Sequence, residues 1–240
     1  MNDAMLKGRH VVVVGGTSGI GLAVARYVAR AGAEVTIVGR DAERLRHAAE
    51  EIGGARQCVG DLHQSEAFGR LFGSLPEIDH VVVTAGTASL KTLRESTAED
   101  LRAAVEERLV GPLSVVRAAL DRLRPTGSIV LTSGLLAERP THRGAILAGA
   151  VAAIEAIARS LALELAPIRV NAVSPGLVDT PLLDGFFGDA KHEALASAAA
   201  SLPTGRIGRP DDIAQAVGLL LTGGFITGEV LHVDGGGRLV

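Results

Sequence analysis

Three glycines, Gly15, Gly19 and Gly21, follow the apolar run Val11-Val12-Val13-Val14 and precede an amphipathic stretch. The chemistry that this spacing serves is phosphate binding. A chain that turns sharply after a buried strand and lets its backbone approach a diphosphate needs the positive φ and missing side chain of glycine. Thr17, Ser18 and Ile20 fill the rest of the turn. The helix that starts near Ile20 would present its N-terminal amides to the anion. A second chemical signal ends the next apolar run, Ile37-Val38-Gly39-Arg40. An NAD site normally sets an acidic residue there to accept from the ribose 2′-hydroxyl, whereas Arg40 offers a planar cation suited to a 2′-phosphate. This reading makes NADP the expected cofactor. A solvated loop charge beside Asp41 is the alternative.

The elements that must position these groups follow from the apolar pattern. Short, continuously apolar runs alternate with helical spacing, the signature of βαβ units around a parallel sheet covered on both faces. Strands are expected at His10–Val14, Glu34–Val38, Arg56–Val59, His80–Thr84, Ser128–Thr132, Arg169–Val173 and Val230–Val233. The spacing predicts helices over Leu22–Arg30, Ala42–Ile52, Ala67–Leu75, about Ala145 to Leu165, and from Pro210 to near Leu221. Ser96-Thr97-Ala98-Glu99 reads as a capping box that opens a long helix running towards Arg124. The stretch from Gly185 to Pro203 has the weakest core pattern and is expected to form a mobile cover.

With 240 residues and 47% hydrophobic content, one domain spanning residues 1–240 is expected. Aromatic residues make up only 2%, so its core must be built from Ala, Val, Leu and Ile. A net charge of −3 without basic runs argues against nucleic acid. The single cysteine, Cys58, excludes an internal disulfide and fits a reducing, cytoplasmic setting. Charges interrupt the helical segments, so no membrane span is expected, nor is a metal site.

Together with Asp61-Leu62, Ala85-Gly86, Asn171-Ala172-Val173-Ser174-Pro175-Gly176 and Val233-Asp234-Gly235-Gly236, the glycine turn resembles the short-chain dehydrogenase/reductase family. The resemblance implies a doubly wound Rossmann fold with a seven-stranded parallel sheet and an oxidoreductase activity on a carbonyl or hydroxyl substrate. It implies that Asp61 meets the adenine amino group with Leu62 also in the cofactor site, that Ala85 and Gly86 pack against the adenosine ribose, and that Pro175, Gly176, Val178 and Thr180 hold the nicotinamide carboxamide. A homodimer or homotetramer built on two helices follows from the same likeness.

The family's catalytic residues are missing. Registered on Ile129-Val130-Leu131-Thr132 and Ala158-Arg159-Ser160-Leu161, its serine falls on Gly134, its tyrosine on Leu147, its lysine on Val151 and its helix asparagine on Arg108. No other pair can substitute, because the only tyrosine is Tyr27 and the only lysines are Lys7, Lys91 and Lys191. Three groups could compensate. Arg108 could reach the volume vacated at Val151, Ser133 precedes the serine position by one residue, and His142 sets in the following loop a residue type that can donate a proton. Each also has a structural reading: an ion pair, a buried hydrogen bond and an exposed loop side chain. The functional readings are an NADP-dependent oxidoreductase of atypical mechanism, a non-catalytic cofactor-binding sensor or accessory subunit, and a non-redox isomerase or lyase in the emptied pocket.

Overall fold

The computed structural model describes residues 5–64, 66–87, 90–188 and 191–240. A seven-stranded parallel sheet runs through it in the order β3-β2-β1-β4-β5-β6-β7. The strands are β1 His10–Val14, β2 Glu34–Gly39, β3 Arg56–Val59, β4 Ile78–Val83, β5 Leu123–Thr132, β6 Arg169–Pro175 and β7 Val230–Val233. The chain winds outward from β1 to β3, then returns to place β4 on the other side of β1. Loops leaving β1 and β4 therefore diverge, and a crevice opens above them at the topological switch point.

Alternation along the strands sorts their side chains into two cores. Val12 and Val14 face Phe68, Phe72, Ile129 and Ile154 on one side of the sheet. Val11 and Val13 face Val24, Leu45, Val217 and Leu221 on the other. The helices covering these faces are α1 Gly19–Arg30, α2 Ala42–Ile52, α3 Ala67–Gly73, α4 Ala98–Val105, α5 Gly111–Ala119, α6 Ala145–Glu164, α7 Asp184–Phe187, α8 Lys191–Ser201 and α9 Pro210–Thr222. Tyr27 packs from α1 onto α9, where a Cβ at Gly218 would meet its ring at 2.3 Å.

The long helix expected from Ser96 differs in three respects. Its cap is Thr97, which accepts from the Asp100 amide while the Asp100 carboxylate accepts from the Thr97 amide. A π-helical turn, Glu106–Val110, separates α4 from α5. The helix stops at Ala119 rather than near Arg124, because β5 begins at Leu123. Arg124 precedes Pro125, which drives it to extended backbone, and Leu123 pairs with Ile78 of β4.

The expected lack of any membrane-length apolar segment is also corrected. By length and composition α6 is apolar enough to cross a membrane. Here it packs against β5 and β6 as a core helix, burying Leu147, Val151, Ile154 and Ala158. At the opposite end of the sheet from the crevice, His80 of β4 is buried and its Nδ1 lies 2.8 Å from Ser128 Oγ. Burial lowers its pKa from 6.5 to about 4.

Candidate active site

A cavity of about 660 Å³ lies in the crevice above β1 to β4. The glycine turn forms its floor. Gly15 has φ +91°, and a Cβ there would sit 2.6 Å from the Ala85 amide nitrogen. At Gly21 a Cβ would come within 2.1 Å of the Gly15 carbonyl oxygen. These two close approaches explain glycine where any side chain would close the cradle. Of the residues expected to meet a cofactor, the cavity gathers Gly15, Thr17, Ser18, Gly19, Ile20, Gly21, Arg40, Asp61, Leu62, Ala85, Gly86 and Thr180.

Pro175, Gly176 and Val178 do not line that cavity. Pro175 ends β6 and pairs with Val233, and a Cβ on Gly176 would meet Asp234 Cα at 2.6 Å. Val178 is buried and bridges to Gly208. These three build the turn that carries Thr180 to the cavity. Lys191 of α8 fastens the same turn, with its Nζ 2.8 Å from Asp179, 2.7 Å from Asp184 and 3.5 Å from the Thr180 carbonyl oxygen.

At the end of β2, Arg40 is exposed on the cavity rim and makes no ion pair with Asp41. The Asp41 side chain instead caps α2, accepting from the Arg44 amide at 2.9 Å. Arg44 itself also lines the cavity, a second cation that the sequence reading did not single out although it lies four residues after Arg40. Where an acidic anchor would stand, Gly39 is covered by the Thr17 methyl, with only 2.7 Å available to a Cβ. Asp61 accepts from the His63 amide and so shapes a turn rather than capping α3, whose N-cap is Glu66.

The wall after β4 is gripped from the π-turn. Glu107 accepts from both the amide and the hydroxyl of Thr87, and lies 3.0 Å from His63 Nε2. Burial alone would raise its pKa, but the hydrogen bonds from Thr87 and His63 outweigh that and hold it below the usual value. Arg108 donates to the Thr87 carbonyl at 2.5 Å and to the Gly86 carbonyl at 3.3 Å. Burial depresses its pKa. Its bonds run to this loop rather than towards Val151, so the guanidinium does not take the vacated place. Thr87, Glu107 and His63 escaped the sequence reading. Their only signal was adjacency to Arg108 and Asp61, and a π-turn leaves no mark in hydrophobic spacing.

Beyond β5 the emptied catalytic positions form an apolar patch. Leu147 and Val151 are buried, and the space over Gly134 is bounded by Val151, whose Cγ1 would lie 3.9 Å from a Cβ there. Ser133 points into α6, with its Oγ 2.7 Å from Glu155 Oε1 and 3.1 Å from the Val151 carbonyl oxygen. That is the structural role among its two readings. His142 is exposed in the loop before α6.

The family model described as enoyl-(acyl carrier protein) reductase matches residues 14–237, nearly the whole chain. The chain belongs to the short-chain dehydrogenase/reductase family. It is 35% identical to a short-chain dehydrogenase/reductase of Stachybotrys chlorohalonatus, over 98% of each chain. Among solved structures it is similar to the MalC reductase/Diels-Alderase of Malbranchea aurantiaca, with a TM-score of 0.90, 31% identity and full coverage of both chains. It also resembles a small-chain dehydrogenase in complex with NADPH, with a TM-score of 0.84, 30% identity and coverage of 98% and 100%. The glycine turn, packed against the protein's own backbone and lining an open cavity, fits a nicotinamide dinucleotide.

Proposed function

We propose that this protein is an NADP-dependent reductase that works on a carbonyl-class double bond without the family's phenol acid. The observation that carries the reading is the rim at the end of β2, where Arg40 and Arg44 face the cavity and the Thr17 methyl covers Gly39. Two guanidinium groups suit a 2′-phosphate, and nothing at Gly39 accepts from a 2′-hydroxyl. When bound, the nicotinamide supplies the hydride, so the chain's own task reduces to orientation and exclusion of water.

Each part of the site has a share in that task. Gly15, Ser18, Gly19, Ile20 and Gly21 present backbone to the diphosphate. Asp61 and Leu62 take the adenine, Ala85 and Gly86 the adenosine ribose. Thr180, held by the Pro175–Val178 turn and the Lys191 clasp, takes the carboxamide. Glu107 and Arg108 fix the Gly86–Thr87 wall between the two halves. Leu147 and Val151 give the substrate an apolar floor and no proton.

The second reading, a cofactor-binding sensor or accessory subunit, is favoured by one observation. Arg108 and Ser133 are both engaged with backbone or α6, and His142 is exposed in the loop before α6. Fluorescence titration with NADPH and NADH, followed by NADPH oxidation with a panel of carbonyl compounds, separates the two. Binding with measurable turnover supports the reductase, whereas binding with none supports the sensor. Equal affinity for both cofactors would sink the NADP assignment. A cytoplasmic homodimer or homotetramer completes the proposal, supported by exposed Val105 and Val110 beside the π-turn and exposed Leu163 on α6. Light scattering that gave a monomer at micromolar concentration would remove that part.

A further inference from the structure

Hydride addition to a neutral carbonyl leaves an alkoxide, and the family's tyrosine exists to protonate it. At the reacting end of this site the equivalent positions are Gly134, Leu147 and Val151, which hold no transferable proton. The polar groups around them are committed elsewhere. Ser133 is bound to Glu155 and the Val151 carbonyl, Thr132 donates to the Val83 carbonyl, and Arg108 is tied to Gly86 and Thr87.

The place of the cation has changed as well as the proton supply. The family's cation is absent at Val151. One turn further along α6, at the spacing that keeps side chains on one face, stands Glu155. It is buried, its hydrogen-bond partner is the neutral Ser133 hydroxyl, and no ion pair reaches it among the described residues. Leu147, Val151 and Glu155 thus form one line along the helix: apolar, apolar, acidic. The nearby cation, Arg108, belongs to the opposite wall, beside Glu107 and with two carbonyls on its guanidinium.

We infer that the preferred substrate is a cationic carbon–nitrogen double bond, an iminium ion, with the neutral carbonyl reduced as a slower alternative. This rests on the reductase reading above. The iminium carbon accepts hydride from the reduced nicotinamide and forms a C–H bond. The π pair of the C=N bond moves onto nitrogen, giving a neutral tertiary amine. The substrate is reduced by two electrons, the cofactor is oxidised by two, and no proton is required. A site without an acid meets the whole demand of this reaction, and buried Glu155 lies on the same face of α6 as Leu147 and Val151.

The test compares a cyclic iminium ion, N-methyl-dihydroisoquinolinium, with the similarly sized ketone tetralone in single-turnover oxidation of bound NADPH. A parallel arm follows the fluorescence of bound NADPH as a saturated quaternary cation, N,N-dimethyl-tetrahydroisoquinolinium, or its uncharged carbon analogue is added. The expected result is a rate for the iminium ion at least about 10²-fold above the ketone, the scale of the missing acid, and binding of the cation over its neutral analogue. Glu155→Gln, which keeps an acceptor for Ser133, should weaken cation binding about tenfold. Gly134→Ser with Leu147→Tyr and Val151→Lys should reverse the substrate preference. A ketone rate equal to or above the iminium rate, or equal binding of cation and neutral analogue, would overturn the inference. Failure of NADPH itself to bind would instead overturn the reading on which it rests.

Discussion

The two halves of the crevice have been treated differently. Above β1 to β4 the cradle is complete: glycines with no space for a side chain, a gripped loop and cations at the rim. Beyond β5 the frame is equally well packed, but Gly134, Leu147 and Val151, onto which the resemblance sets the proton-handling groups, hold no transferable proton. The contrast teaches that holding a cofactor and using it draw on separable properties. Binding depends on backbone shape and small residues, which the fold itself enforces. Proton transfer depends on a few side chains that the fold tolerates in any apolar form.

The largest effect should come from erasing that difference. Gly134→Ser with Leu147→Tyr and Val151→Lys should raise ketone reduction about 10²–10⁴-fold, the usual worth of general acid–base help. Arg108 keeps to the Gly86–Thr87 loop, so a fourth change at that position should be unnecessary. An unchanged rate in a folded triple variant that still binds NADPH would break the comparison.

The frame shared by both halves can be probed at the far end of β4. His80 is held neutral by burial, its pKa falling from 6.5 to about 4. Its folded value lies below its unfolded one, so stability is full above pH 6.5 and falls as pH drops towards 4, where the unfolded chain takes up the proton first. The loss attributable to this group is about 3 kcal/mol. Urea unfolding at pH 7 and 4.5 should show that fall in the unmodified protein and a smaller one in His80→Gln. The same fall in both would remove His80 as the cause.

Within the cradle, Gly15→Ala forces a side chain into φ +91° and against Ala85. A cost of about 1–3 kcal/mol is expected, seen as a lower thermal midpoint and weaker NADPH binding with no gain in any rate. The smallest effect concerns the rim. Arg40→Ala should reduce the preference for NADPH over NADH by about 1 kcal/mol, since the side chain is exposed and screened. Titration of both cofactors checks it, and an unaltered ratio would shift the assignment to Arg44.

The cradle was legible in the sequence because it is written in residue types that few other structures need. Continuous valines before spaced glycines specify a buried strand, a turn and a helix start, and β1 and α2 appear with the expected bounds. The lack of a tyrosine–lysine pair one helical turn apart is legible in composition alone, since the chain has one tyrosine and three lysines. What escaped was contact between distant segments. Glu107 reaches Thr87 and His63 from a π-turn, and Arg44 reaches the rim from the first turn of α2. Pro175, Gly176 and Val178 were expected to hold the carboxamide with Thr180; of the four only Thr180 lines the cavity, and the other three build the turn behind it. Pattern reports which residues a loop contains; only packing reports which of them face inward.

The contact between Thr17 and Gly39 stands in the way of any side chain at position 39. An acidic residue at position 39 would have to enter where the Thr17 methyl leaves 2.7 Å to a Cβ, so a single substitution towards an NAD site meets a clash before any new hydrogen bond forms. Thr17 must shift or be replaced by a smaller residue before a side chain at 39 fits. Random mutation followed by selection for NADH use should therefore recover changes at 17 and 39 together, or none at 39. The same order applies to design: Gly39→Asp belongs in a Thr17→Gly or Thr17→Ser background.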